Sequence, residues 1–166
     1  KIGVIFFSDK VEKFIPPQKG RKHILRIIRE LLDFKSQSQK TNLDEPLRFL
    51  TNAIKKRCTA FIISDFIVPD FEGSLRIASN KHDIVALKVF DPVEKAIPNI
   101  GLIKVSDSES GSEKWIDTSS GATRIAYEKW WIGHIELIKN IFKRCGVDSA
   151  ELRTDLDYVK PLIKLF

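Results

Sequence analysis

The sequence predicts a three-layer α/β fold, a mainly parallel sheet with helices on both faces, and three observations carry that expectation. The runs IGVIFF (2–7) and TAFIIS (59–64), and the 84–90 part of DIVALKVF, are apolar almost throughout, as strands buried on both sides of a parallel sheet are. Between and after them apolar residues recur at helical spacing. Each run leads into an aspartate, Asp9, Asp65 or Asp91, the kind of residue that turns a chain away from a strand end.

The elements follow in order. VEKFIPP sets Val11, Lys13 and Ile15 against Glu12 and Phe14 and stops at Pro16-Pro17, which predicts a short edge strand in a hairpin with the first. Over 21–34, Ile24, Leu25, Ile27, Ile28, Leu31 and Leu32 trace one helical stripe while Lys22, Arg26 and Arg29 line the other face. KSQSQK is turn-prone, and Leu43, Leu47, Leu50 and Ile54 mark a second helix. Pro46 fits only its first turn, so the helix begins near Leu43 and Thr41 lies in the loop before it. Phe71, Leu75 and Ala78 mark a third helix, and the β-α-β-α-β rhythm implies parallel strands with right-handed crossovers.

After Pro98, IGLIKVSD, the turn-rich SESGSE and KWIDTSS form a hairpin signal near 100–119. A long amphipathic helix over 123–145 follows, with Tyr127, Trp131, Ile135, Ile138 and Phe142 on one face, Ser119 or Ser120 as its cap and Gly146 as its stop. A short helix at 158–166 closes the chain. All 166 residues read as one domain, 43% hydrophobic and 30% charged.

No apolar run reaches the ~20 residues of a membrane span. Cys58 and Cys145 lie far apart with no CxxC spacing, which fits a reducing, cytoplasmic setting better than a disulfide scaffold. The lack of any methionine and an apolar strand at the first residues suggest part of a longer polypeptide. Net charge is +6, concentrated in residues 1–60, which hold 14 Lys/Arg against 6 Asp/Glu. No basic-aromatic interleaving accompanies that charge, so nucleic acid is not the expected partner. His23, His82 and His134 match no metal spacing, and no P-loop, GxGxxG or GxSxG string is present.

The aspartates admit two readings: local turn caps, or carboxylates converging on a hard cation such as Mg²⁺ at the carboxyl edge of the sheet. A hydroxyl before a helix followed by a strand ending Ile63-Ser64-Asp65 resembles the Thr-then-Asp part of a metal-ion-dependent adhesion site. With IGVIFFSDKVEKFIPPQKGRKHILRIIRELL, TNLDEPLRFL, CTAFIISDF, SLRIASNKHDIVALKVFDP and the tail LDYVKPLIKLF, the chain resembles the von Willebrand factor A-like proteins of unknown function (domain of unknown function 58), often encoded beside MoxR-type AAA ATPases.

That resemblance implies a Rossmann-like domain, with Thr41 as a direct metal ligand and Asp65 as a ligand through water. Asp9 and Asp91 are possible additional carboxylates. The Asp-x-Ser-x-Ser loop of the family site is absent, its nearest strings being SDSES and DTSSG in the late hairpin region. The first strand and helix of the family fold are therefore expected to be missing, and Mg²⁺ binding by this chain to be weak. The missing strand belongs between 2–7 and 59–64, so those two strands are expected either to pair directly or to take a strand from another copy. The implied function is a protein-binding adaptor, metal-dependent when complete, with a MoxR-type ATPase as partner. The rival is a Mg²⁺-dependent phosphohydrolase or nuclease using Asp9, Asp65 and Asp91, although no general base stands beside them in sequence.

Overall fold

A computed structural model describes residues 1–106 and 112–165, so the SES-Gly turn of the expected hairpin and most of SDSES lie outside the described residues. The chain opens with strands β1 (Ile2–Phe7) and β2 (Val11–Gln18), paired antiparallel, followed by helices α1 (Arg21–Asp33) and α2 (Asp44–Ala53). Gly3 is required where the hairpin bulges, because a Cβ there would stand 2.8 Å from the Ile15 carbonyl oxygen. Strand β3 (Thr59–Ser64), helix α3 (Glu72–Lys81) and strand β4 (Asp83–Phe90) form a parallel crossover. A hairpin of β5 (Leu102–Ser106) and β6 (Glu113–Asp117), the 25-residue helix α4 (Gly121–Cys145), strand β7 (Asp148–Arg153) and helix α5 (Val159–Leu165) complete the fold.

The mixed α/β character and the parallel pairing of 59–64 with 83–90 match expectation. Strand β7, which the sequence did not announce, adds in parallel on the other side of β4 to give the order β3-β4-β7. Ile84, Ala86 and Ile62 on one face of this sheet meet Leu75 and Ala78 of α3 and Ile138, Ile141, Phe142 and Cys145 of α4 in the main core. Ser120 caps α4 by accepting from the Thr123 amide, and Gly146, in the left-handed region at φ 63°, terminates it.

One expectation is corrected. Residues 2–7 do not join the parallel sheet, and β1 pairs only with β2 in a separate two-stranded sheet. Direct closure of 2–7 onto 59–64 therefore does not occur. The physical reason is the route of attachment: α2 holds the hairpin by side-chain packing rather than by a ladder. Phe49 of α2 meets Phe14 of β2 edge-on at 5.1 Å, while Leu43 and Leu47 enter the main core, where Phe7 of β1 also packs. Among the described residues, β1 and β3 each keep one edge without a strand partner.

Candidate functional site

The loops that follow the strands carry the residues singled out from the sequence. Asp9 follows Ser8, which is buried and whose hydroxyl donates to the Asp9 carboxylate at 3.2 Å. The loop containing Thr41 is tied to this turn, since the Asn42 amide donates to the Ser8 carbonyl at 2.9 Å. Thr41 itself is half-buried, immediately before Asn42, whose side chain accepts from the Asp44 amide and starts α2. The end of β1 and the Thr41 loop are thus brought together by a backbone hydrogen bond.

Asp65 is exposed at the end of β3 and accepts from the Ile67 amide at 3.1 Å and the Ser64 hydroxyl at 3.4 Å. The next residue, Phe66, has φ 58° and is fully buried. A bulky side chain in the left-handed region costs of order 1–3 kcal/mol and persists only where surroundings hold it. Here the Phe66 amide donates to the Ser64 hydroxyl, and the ring packs edge-on against Phe142 at 5.0 Å.

Asp91 is exposed at the end of β4 and caps the short 3-10 turn Pro92–Lys95 by accepting from the Val93 amide at 2.9 Å. Its second oxygen accepts from the Thr154 hydroxyl beyond β7 at 3.2 Å. Asp65 and Asp91 each accept from an amide of their own turn, whereas Asp9 accepts from the hydroxyl of the adjacent Ser8. Among the described residues no group of three or more His, Cys, Asp or Glu side chains is placed to hold a metal ion, and Thr41 shares no hydrogen bond with Asp65.

Sequence reading missed the residue beneath Asp65. Lys88, on β4, is 3% exposed, and its ammonium donates to the Asp65 carbonyl at 2.6 Å while lying 5.2 Å from the Trp131 ring centre. Burial pulls its pKa down, opposed by the negative charges of Asp65, Glu94 and Glu151. A lysine inside the apolar run DIVALKVF was the available signal, since lysine is almost never fully buried without a role. Nearby, His134 stacks on Trp130 at 5.5 Å, and its Nε2 is buried without a hydrogen-bond partner among the described residues. Burial and the Lys88 charge push its pKa down.

Where the strands begin, Cys58 Sγ lies 3.5 Å from Nδ1 of His82, a pair separated by 24 residues and invisible to motif reading. His82 ends α3, as a surface or helix-end histidine would, but it is 1% exposed and burial pushes its pKa down. Burial raises the Cys58 pKa, so both shifts favour the neutral thiol and neutral imidazole over an ion pair.

Comparison with known proteins places the chain among bacterial relatives. Uncharacterized proteins of Mycobacterium tuberculosis and Mycobacterium bovis are each 23% identical to it over 99% of this chain and 52% of their own length. An uncharacterized protein of Mycobacterium avium is 28% identical over 66% of this chain and 65% of its own. The chain thus spans about half the length of the mycobacterial relatives matched along nearly all of it. No solved structure matches. The model of the family described as protein of unknown function DUF58 matches residues 1–135, and the chain belongs to that family.

Proposed function

We propose that this chain is part of a protein-binding adaptor module of von Willebrand factor A type, working with a MoxR-type ATPase in the cytoplasm. The observation that carries the reading is the uncovered face of α1. Leu25, Ile28, Leu31 and Leu32 are between 47% and 80% exposed on a helix whose packing against the rest of the chain buries only His23. Large apolar side chains clustered on one exposed arc mark an interaction surface more often than a catalytic one. Lys22, Arg26 and Arg29 flank it, which suits a partner with acidic groups around an apolar centre.

Mg²⁺ enters this proposal as a ligand of the longer protein. Thr41 and Asp65 would contribute oxygen ligands, and the remaining donors would come from outside these residues. A cation held by so few protein oxygens keeps open coordination positions, which a partner carboxylate can fill. The 166-residue chain is accordingly expected to bind Mg²⁺ weakly.

A purified MoxR-type ATPase from the same genome, titrated with the chain, tests the reading. Leu25→Glu with Leu32→Glu should weaken association by roughly tenfold or more, the effect of removing central apolar anchors. Association that is unchanged by this pair, or absent altogether, contradicts the assignment of α1 and partner. The phosphohydrolase alternative predicts Mg²⁺-dependent phosphate release that is lost on Asp65→Ala.

A further inference from the structure

Lys88 sits on the central strand with 3% exposure, yet among the described residues no carboxylate lies within ion-pairing distance of its ammonium. Its hydrogen bond goes to a neutral acceptor, the Asp65 carbonyl. Asp65, Glu94 and Glu151 act on it only from beyond ion-pairing distance, and a buried cation without a direct ion pair is costly, a cost that proteins resolve with an ion pair, a deprotonation or a bound anion. Lys88 also lines a cavity of about 310 Å³ between α4 and the β4–β7 side of the sheet. That volume is at the lower end of the ~300–1,000 Å³ range of small-ligand sites. Ile135, Ile138 and Phe142 supply an apolar wall, while the exposed Lys139 and Glu151, which also line the cavity, are paired with each other at 2.9 Å.

We propose that this cavity binds a small organic carboxylate, its head on the Lys88 ammonium and its apolar body against Ile135, Ile138 and Phe142. The wall chooses between anions. A free phosphate carries more charge and more acceptor oxygens than one ammonium and the Ser149 hydroxyl can satisfy, and it gains nothing from an apolar surface. A carboxylate with a hydrocarbon body uses both halves of the cavity. This site is independent of α1, but Lys88 donates to the carbonyl of Asp65, the residue proposed above as a Mg²⁺ ligand, so the titrations are run without Mg²⁺.

Calorimetric titration of the chain with octanoate, octanol and inorganic phosphate decides the matter, with tryptophan emission as a second readout because Trp131 lies beside Lys88. Octanoate should saturate a single site, with octanol and phosphate each weaker by roughly tenfold or more. Lys88→Met should remove the preference for octanoate over octanol. Ser149→Trp, an exposed position on the outer strand, should abolish both by filling the cavity. If Lys88→Met does not fold, the octanoate-to-octanol ratio and Ser149→Trp still decide. No saturable octanoate binding, equal affinity for octanol, preference for phosphate, or binding that survives Ser149→Trp overturns the proposal.

Discussion

The two halves of the molecule contrast in how they use apolar residues. In the α3–β4–α4 half, Leu75, Ala78 and Ala86 are fully buried and Phe66, Phe71 and Phe142 form one aromatic group. In the β1–β2–α1 half, the helix with the clearest amphipathic pattern leaves Leu32 80% exposed and buries only a histidine, whose Nε2 meets the Ile2 carbonyl at 2.8 Å. Periodicity therefore specified that α1 is a helix and which arc is apolar. It did not specify what covers that arc, because a helix pattern records the need for a partner without naming one.

Mutations should separate the halves sharply. The largest expected effect is Phe66→Ala, which removes a fully buried ring from the main core and should cost about 3–5 kcal/mol by denaturant unfolding. Leu32→Ala on α1 should cost less than about 0.5 kcal/mol, near the level of an ordinary surface change. Equal losses would show that α1 is packed as tightly as the core, and the contrast would fail.

An intermediate effect is expected at Thr118. It is fully buried, donates to the Gly101 carbonyl at 2.6 Å and accepts from the Ile100 amide at 3.0 Å, locking the base of the β5–β6 hairpin. Thr118→Val keeps the shape and the Thr118 amide bond to the Gly101 carbonyl but leaves the Ile100 amide without its acceptor, so a loss of about 1–3 kcal/mol is expected from the same unfolding curves. An unchanged midpoint would show that the hairpin base contributes nothing to the cooperative unit.

Acid should weaken the core half first. His82 and His134 both have pKa values lowered in the folded state, mainly by burial. The unfolded chain therefore takes up protons first as pH falls below ~6.5, so stability is complete above that pH and declines beneath it. Unfolding free energies at pH 7.5 and 5.5 should show the fall, and His82→Asn should lessen it, leaving the part due to His134. A pH-independent profile would mean that both imidazoles charge freely in the folded state.

How much of this was legible in the sequence follows from the range of the interactions involved. Helices α1 to α4, both hairpins and the β3–β4 pair were readable, since spacing, Pro46, Ser120 and Gly146 act within a few residues. The sheet membership of β1 was not, because IGVIFF looks the same whether it pairs with β2 alone or enters a parallel ladder. Strand β7 was hidden because DSAELR is polar apart from Ala150 and Leu152, and its partner β4 supplies the apolar face. At the site, Asp65 and Thr41 stood out by motif. The Lys88 contact and the left-handed Phe66 depend on residues 23 positions apart and on packing that no local pattern encodes.

The smallest effect expected is also the most direct test of the adaptor reading: the heat of Mg²⁺ binding to the 166-residue chain, measured by calorimetric titration alongside phosphate release from p-nitrophenyl phosphate. The account predicts little heat at millimolar Mg²⁺ and no phosphate release, because the strand-end aspartates Asp9, Asp65 and Asp91 do not gather into one cluster among the described residues. Tight Mg²⁺ binding that is lost on Asp65→Ala, together with phosphate turnover, would contradict it and establish the enzyme reading instead.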